Sequence, residues 1–260
     1  GGHGGGHGGG RHGGGARFRC NALVAEVKPV DDGVLIHWRD AAGTPRTTHA
    51  RQVVMANAKQ IVRHMMPWLD ESDPDKKEAM QLVPTVAYLV ANVVLDRPIG
   101  QDFYDLFIQG SAQFPMDEAG FEGARLITDV LNAGFATHGP NARALTLYWP
   151  LPWHTARFSI VDEGDWRAYA EIARPQLTEM LALLGIAPRD VRQIRLSRWG
   201  HAMPYATPGA YSNGLPHELR RPLHGGRIWF ANQDNWLLPA VETCLLEAMW
   251  VAPQVDAALG

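Results

Sequence analysis

What this chain of 260 residues has little of narrows its function first. It has two cysteines, Cys20 and Cys244, too few for a disulfide framework or a thiolate metal cluster. That usage fits a reducing compartment, and a cytoplasmic setting is the expectation. It has no excess of positive charge. Its 24 Lys and Arg stand against 27 Asp and Glu, a net charge of -3 at neutral pH, so no basic field calls for nucleic acid. No apolar run reaches the roughly 18 residues that a membrane-spanning helix needs. The N-terminal stretch has no apolar core of a secretory signal. Missing, too, is a strand, a glycine-rich turn and a helix in the order that binds a dinucleotide pyrophosphate. Gly8-Gly9-Gly10-Arg11-His12-Gly13 has the glycines, but no apolar strand before it and no helical pattern after it.

What is present is enough for a large core: hydrophobic content is 46%, with nine Trp. Residues 1–15 stand apart, almost entirely Gly with His3, His7, Arg11 and His12. Such a tract has no apolar face to bury and is expected to be disordered. Its imidazoles read either as a metal-chelating arm or as part of a solvated tail. The spacing is irregular and no Cys or carboxylate joins them, so no metal site is assigned.

From Ala16 the pattern becomes strand-like. Phe18 to Val27 is one apolar-rich run and Gly33 to Arg39 a second, joined by Asp31-Asp32-Gly33, a hairpin signal. Ala42-Gly43-Thr44-Pro45 makes the next turn and His49 to Ala56 a third run, so a three-stranded antiparallel meander is expected. Asn57 to Trp68 reads as a helix or capped loop, and Asp73-Pro74 opens a short helix through Leu82. Thr85 to Asp96, Arg125 to Val130 and Arg143 to Trp149 are β-rich. Asp162 to Leu184 carries Trp166, Tyr169, Ile172, Leu177, Met180, Leu181 and Leu184 at helical spacing, with Pro175 as a kink and Gly185 as the stop. Val191 to Trp199 alternates as a strand, and Tyr205 to Pro222 reads as a loop rich in Pro, Gly and Asn.

The C-terminal part holds the chemistry. Gly226 to Phe230 reads as a short buried strand, Ala231-Asn232-Gln233-Asp234 as a tight polar turn, and the run through Glu242 to Ala252 as a long helix. A helix N-terminus after such a turn offers free N–H groups and a positive dipole end, a site for phosphate or the electron-rich edge of a cofactor.

Three segments in this order resemble the flavin-dependent amine oxidase superfamily over roughly residues 17–258. Leu23-Val24-Ala25-Glu26-Val27 with Asp32-Gly33-Val34 looks like the strand pair beside the adenine end of FAD. Ala50-Arg51-Gln52-Val53-Val54-Met55-Ala56 looks like the return strand, and Arg227-Ile228-Trp229-Phe230-Ala231 like the last strand of the FAD domain. The resemblance implies an α/β fold in which 16–57 and 222–260 are parts of an FAD-binding domain. Residues 58–221 are then a mixed-sheet substrate domain flanked by helices. It implies FAD as cofactor, a small-molecule substrate, and hydride transfer from a substrate C–H bond, often beside nitrogen. The chain then reads as a C-terminal portion that is inactive alone.

The implied cofactor contacts are the backbone of Val24 toward adenine, and Asn232, Gln233 and Asp234 in the turn. Asp234 stands where the family carries an acidic residue that accepts from sugar hydroxyls. Glu242 and Thr243 open the helix whose amides would stabilise negative charge on the reduced ring. Trp199 and Tyr211, the latter in Pro208-Gly209-Ala210-Tyr211, would frame the reactive face, since aromatic faces suit an amine cation. His201, two residues after Trp199, is an acid/base candidate. Each residue also has a structural reading: Val24 as core, Asp234 as a helix or turn cap, Tyr211 as a packed loop aromatic, His201 as a structural histidine. The chain departs from the family in two places. Asn232 stands where the family has a glycine, and Glu242-Thr243-Cys244 replaces Glu-Gly-Ala. None of Lys28, Lys59, Lys76 and Lys77 lies on a strand placed for the water-holding lysine of many amine oxidases. A flavin desaturase or dehydrogenase on a larger apolar substrate, for which Leu145, Leu147, Trp149, Leu151 and Trp153 leave room, and a non-catalytic binding protein are the other readings.

Overall fold

The computed structural model describes residues 18–108, 126–134, 141–151 and 166–260; the Gly/His tract and Trp153 lie outside these. Strands β1 (Leu23–Val30), β2 (Gly33–Arg39) and β3 (Pro45–Ala50) form the antiparallel meander in the order β1-β2-β3. Asp31 and Asp32 make the hairpin turn, and Gly33 is the first residue of β2, paired with Val30. A Cβ on Gly33 would stand 2.6 Å from the Ala50 carbonyl oxygen, so glycine is required there by close strand approach. Phe18, expected at the start of the first strand, is 94% exposed and precedes it.

The third run does not stay in the meander. It breaks after Ala50, and β4 (Val53–Met55) pairs in parallel with β10 (Ile228–Phe230) in a second sheet. Every residue of β10 is buried, as expected of a strand covered on both faces. The pairing carries Val53 and Met55 into the core that Ile228 and Phe230 anchor, whereas β3 is mostly exposed.

Between β4 and β10 come α1 (Lys59–Met65), α2 (Leu69–Ser72) and α3 (Pro74–Gln81). Asp73 caps α3 by accepting from the Lys76 amide at 3.2 Å, and Pro74 fills its first turn. A five-stranded antiparallel sheet follows, ordered β6-β7-β8-β5-β9. Its strands are β5 (Thr85–Leu95), β6 (Asp105–Phe107), β7 (Asp129–Asn132), β8 (Ala144–Pro150) and β9 (Val191–Pro204). β7 thus begins later than the sequence pattern implies, and β9 runs past Trp199 to Pro204. Helix α4 (Trp166–Leu183) covers one face of this sheet. The stretch read as a loop contains α5 (Leu215–Arg220). After β10, a short 3-10 turn (Gln233–Trp236) leads to α6 (Val241–Leu259), which runs beyond Ala252 and through Pro253.

Hydrophobic packing gathers these elements around two centres. One core joins the meander, β4, β10, α1–α3 and α5 through Val27, Val34, Val62, Met80, Leu219 and Phe230. The other lies between the five-stranded sheet and α4, with Leu89, Val93, Leu145, Leu147, Trp149 and Leu181. The architecture is α/β, as expected, but the five-stranded sheet is wholly antiparallel rather than mixed, and the parallel pairing is confined to β4 and β10.

Phe230 is fully buried at the centre of the first core, between two lysines. Replacing Phe230 by Ala is expected to cost about 3–5 kcal/mol of stability, read from the midpoint of urea unfolding.

Candidate functional site

Parallel strands β4 and β10 end together, and the chain beyond each end turns into the same space. Ligands of open α/β sheets bind outside the carboxyl ends of such strands. Beyond β4 lie Asn57 and the start of α1; beyond β10 lies the polar turn Asn232 to Trp236. The Ala231 amide still donates to the Met55 carbonyl at 3.0 Å, which holds the two exits side by side.

The turn is built on buried charge. Asp234, 2% exposed, accepts from the Lys59 backbone amide at 2.7 Å through Oδ2. It therefore caps α1 from far along the chain, where the local N-cap residue Ala58 has no acceptor side chain. Burial raises the Asp234 carboxyl above the ordinary range, while the Lys59 amide, the Lys59 ammonium and His201 act in the other direction. Lys59 Nζ donates to Asn232 Oδ1 at 2.9 Å and to Asn235 Oδ1, and sits 4.9 Å from the Phe230 ring centre. Asn235 Nδ2 donates to the Phe230 carbonyl at 2.8 Å and to Glu247 Oε2 at 2.6 Å. Glu247, 1% exposed, also accepts from Trp236 Nε1 at 2.7 Å and from Arg220 Nε at 3.1 Å. Arg220 in turn lies 3.6 Å from the Trp250 ring centre. This network locks the turn to α1, α5 and α6.

The second buried lysine lies across Phe230. Lys76 Nζ is 4.3 Å from the ring centre and donates to the carbonyls of Glu218, Leu219 and Arg221 at the end of α5. Three acceptors suit the three protons of an ammonium. Burial, then Lys59, push its pKa down to about 6 against that preference; burial pushes Lys59 down to about 7.

Several expected residues meet at this turn. Gln233 Nε2 donates to the Ala202 carbonyl at 3.0 Å, tying the turn to the end of β9. His201 is on that end, with Nδ1 2.8 Å from Thr85 Oγ1 and close enough to Asp234 to influence its titration. Tyr211, half exposed, donates its hydroxyl to the Trp236 carbonyl. Trp199 is 57% exposed and pairs with Tyr88 across β5 and β9. Successive strands then align Phe107, Asp129, Tyr148 and Val90 in one row on the same sheet face. That face is opposite to the one under α4. Tyr88 and Tyr148 meet edge to face at 5.9 Å.

Glu242 is exposed and Thr243 buried at the start of α6, whose N-cap Ala240 offers no side-chain acceptor. Its first amides are therefore left to other partners. Val24 lies on β1, half buried against the first core; among the described residues β2 is the strand paired to β1. Lys59, Asn235, Trp236, Glu247 and Arg220 were not expected. The signal for Glu247 was a lone charge within Leu245-Leu246-Glu247-Ala248-Met249. Among the described residues no group of three or more His, Cys, Asp or Glu is arranged to hold a metal. No helix among them is long and apolar enough to cross a membrane.

No protein-family model and no curated protein matches the chain. Among solved structures it is similar to one described as "Putative protoporphyrinogen oxidase from Exiguobacterium sp. 255-15". The two share a fold. The TM-score is 0.56 at 14% identity over 92% of this chain. The match covers 46% of that structure's chain, so this chain spans about half its length.

The two lysines set a pH dependence. Unfolded, each holds its proton to about pH 10.5; folded, Lys59 releases it near 7 and Lys76 near 6. Between these values the unfolded state binds more protons, so stability rises with pH. The expected slope is at most about 1.4 kcal/mol per pH unit for each lysine. Below about pH 6 both states are charged and this slope vanishes. Unfolding free energies of the wild type and Lys59→Met from pH 6 to 10 check it: the variant should show the shallower rise.

Proposed function

We propose that this chain is part of a FAD-dependent oxidoreductase of amine-oxidase type. The reading rests above all on one arrangement: a rigid polar turn beyond the ends of β4 and β10, met by His201, Tyr211 and the uncapped start of α6. The fold shared with a structure described as an oxidase supports it. In this reading 16–57 and 222–260 belong to the cofactor domain and 58–221 to the substrate domain, with α1–α3 and α5 as the part seated on the cofactor domain.

The fit to a flavin can be tested on the two departures from glycine. Asn232 is 5% exposed, with its amide donating to the Asn57 carbonyl and its oxygen accepting from Lys59. Thr243 is 4% exposed. Both side chains are buried, so in this reading a flavin would meet the backbone of the turn and of the α6 start rather than these side chains.

FAD would supply the acceptance of hydride from a substrate C–H bond. The backbone of Val24, the turn at Asn232, Gln233 and Asp234, and the first turn of α6 at Glu242 and Thr243 would hold it. Amides at that helix start favour negative charge beside them. His201, oriented by Thr85, would be the acid/base group. Trp199 and Tyr211 exclude water and offer aromatic faces to the small-molecule substrate.

A second reading, dehydrogenation of a larger apolar substrate, has its own support. Lys59 and Lys76 are buried in the first core, Lys77 pairs with Asp70, and Lys28 is on β1, so none of the four is on the five-stranded sheet. Its open face instead presents Tyr88, Tyr148, Trp199 and the 71% exposed Phe107. Its aromatic rings, with Asp129 among them, leave room for a larger, mostly apolar molecule. Turnover is expected only together with a pyrophosphate-binding unit.

The visible spectrum of the purified chain after incubation with FAD and removal of free ligand tests the reading. A retained flavin band, weakened in Tyr211→Ala, is the expected result. A folded chain that retains none, even when mixed with the other half of the structural neighbour, would sink it.

A further inference from the structure

A partly enclosed space lies between α4 and the five-stranded sheet, where the two parts of the second core adjoin. It measures about 40 Å³. Its origin is in the sequence: Ala170 and Ala173 on α4 face Ala91 on β5, so small residues meet small residues. Close packing instead sets large against small. Leu89, Leu147 and Trp149 form more of the sheet side, and Tyr169 braces Trp149 edge to face at 6.1 Å.

Polar groups around this space are otherwise provided for. Gln176, 9% exposed, accepts from the amides of Leu126 and Ile127 and donates to the Ile127 carbonyl at 2.7 Å. Trp149 is the exception. It is 4% exposed, lines the space, and its Nε1 is buried without a hydrogen-bond partner. A buried indole N–H ordinarily finds an acceptor. Water is a poor occupant, because it needs at least two polar partners and the walls are apolar. A cavity of about 150 Å³ takes benzene, so this one takes something smaller.

We propose that this cavity is a binding site for a small, uncharged, largely apolar molecule of a few heavy atoms that carries one hydrogen-bond acceptor. The alanines of α4 make room for it, and the Trp149 N–H is its single polar anchor. The assignment is independent of the flavin reading, since it lies on the face of the sheet away from Trp199 and Tyr88.

Xenon is the probe. Methyl spectra of the full chain under rising xenon pressure should show shifts at Ile127, Leu177 and Ile194 that saturate. The Trp149 indole resonance should move with them. In Ala173→Leu, which fills the space, the saturating shifts should vanish; if that variant does not fold, Ala170→Val serves. Shifts that grow linearly with pressure, or that spread equally to Val62 and Leu69 in the first core, overturn the proposal.

Discussion

The structure around the turn depends on one constraint: Glu247 is a carboxylate with almost no contact with water. A charge in that position is tolerable only when hydrogen bonds and an opposite charge surround it. Arg220 at the end of α5 and the neighbours Asn235 and Trp236 in the turn provide these. Satisfying one group therefore fixes three elements at once. The end of α5, the polar turn and the middle of α6 cannot move apart without stranding the charge. Lys59 extends the same constraint to α1 through Asn235 and Asn232. Removing one member leaves the others buried and unpaired, so the network is held collectively.

That rigidity has a consequence for the site. The first core and the second are built from separate sets of side chains, yet β9 reaches from the second core to the polar turn. Its beginning lies against the second core through Val191 and Ile194. Its end is bound to the turn through the Ala202 carbonyl. His201 is thus held relative to Asp234 by backbone geometry, with Thr85 fixing its ring. Tyr211 is fixed by the turn's own Trp236 carbonyl. Groups positioned in this way suffer little reorganisation when a ligand arrives.

Local patterns in the sequence carry much of the fold. The meander, β5, β8, α3 and α6 follow from turn residues, alternation and caps that act over a few positions. What escapes is what distance decides. The break between β3 and β4 has no local cause; β4 leaves because β10, more than 170 residues later, offers it a buried partner. α5 hides in a stretch rich in Pro and Gly because Pro216 suits a first helical turn as well as a loop. The site divides in the same way. Asp234, Asn232, His201 and Tyr211 were legible as chemistry-bearing types, and the structure brings them around one turn. Lys59 and Glu247 were not, because a lysine and a glutamate on helices ordinarily face water. Only the fold turns them inward.

The same inward turning gives Asn232 its place beyond the end of β10. Asn232 is held in that direction by an acceptor, the Asn57 carbonyl, and a donor, Lys59. Lys59 gains by the arrangement too, since an unpaired ammonium at its depth would be untenable. Lysine and asparagine are therefore coupled: each makes the other admissible. Asn232 is the bond by which the turn is fastened to the core.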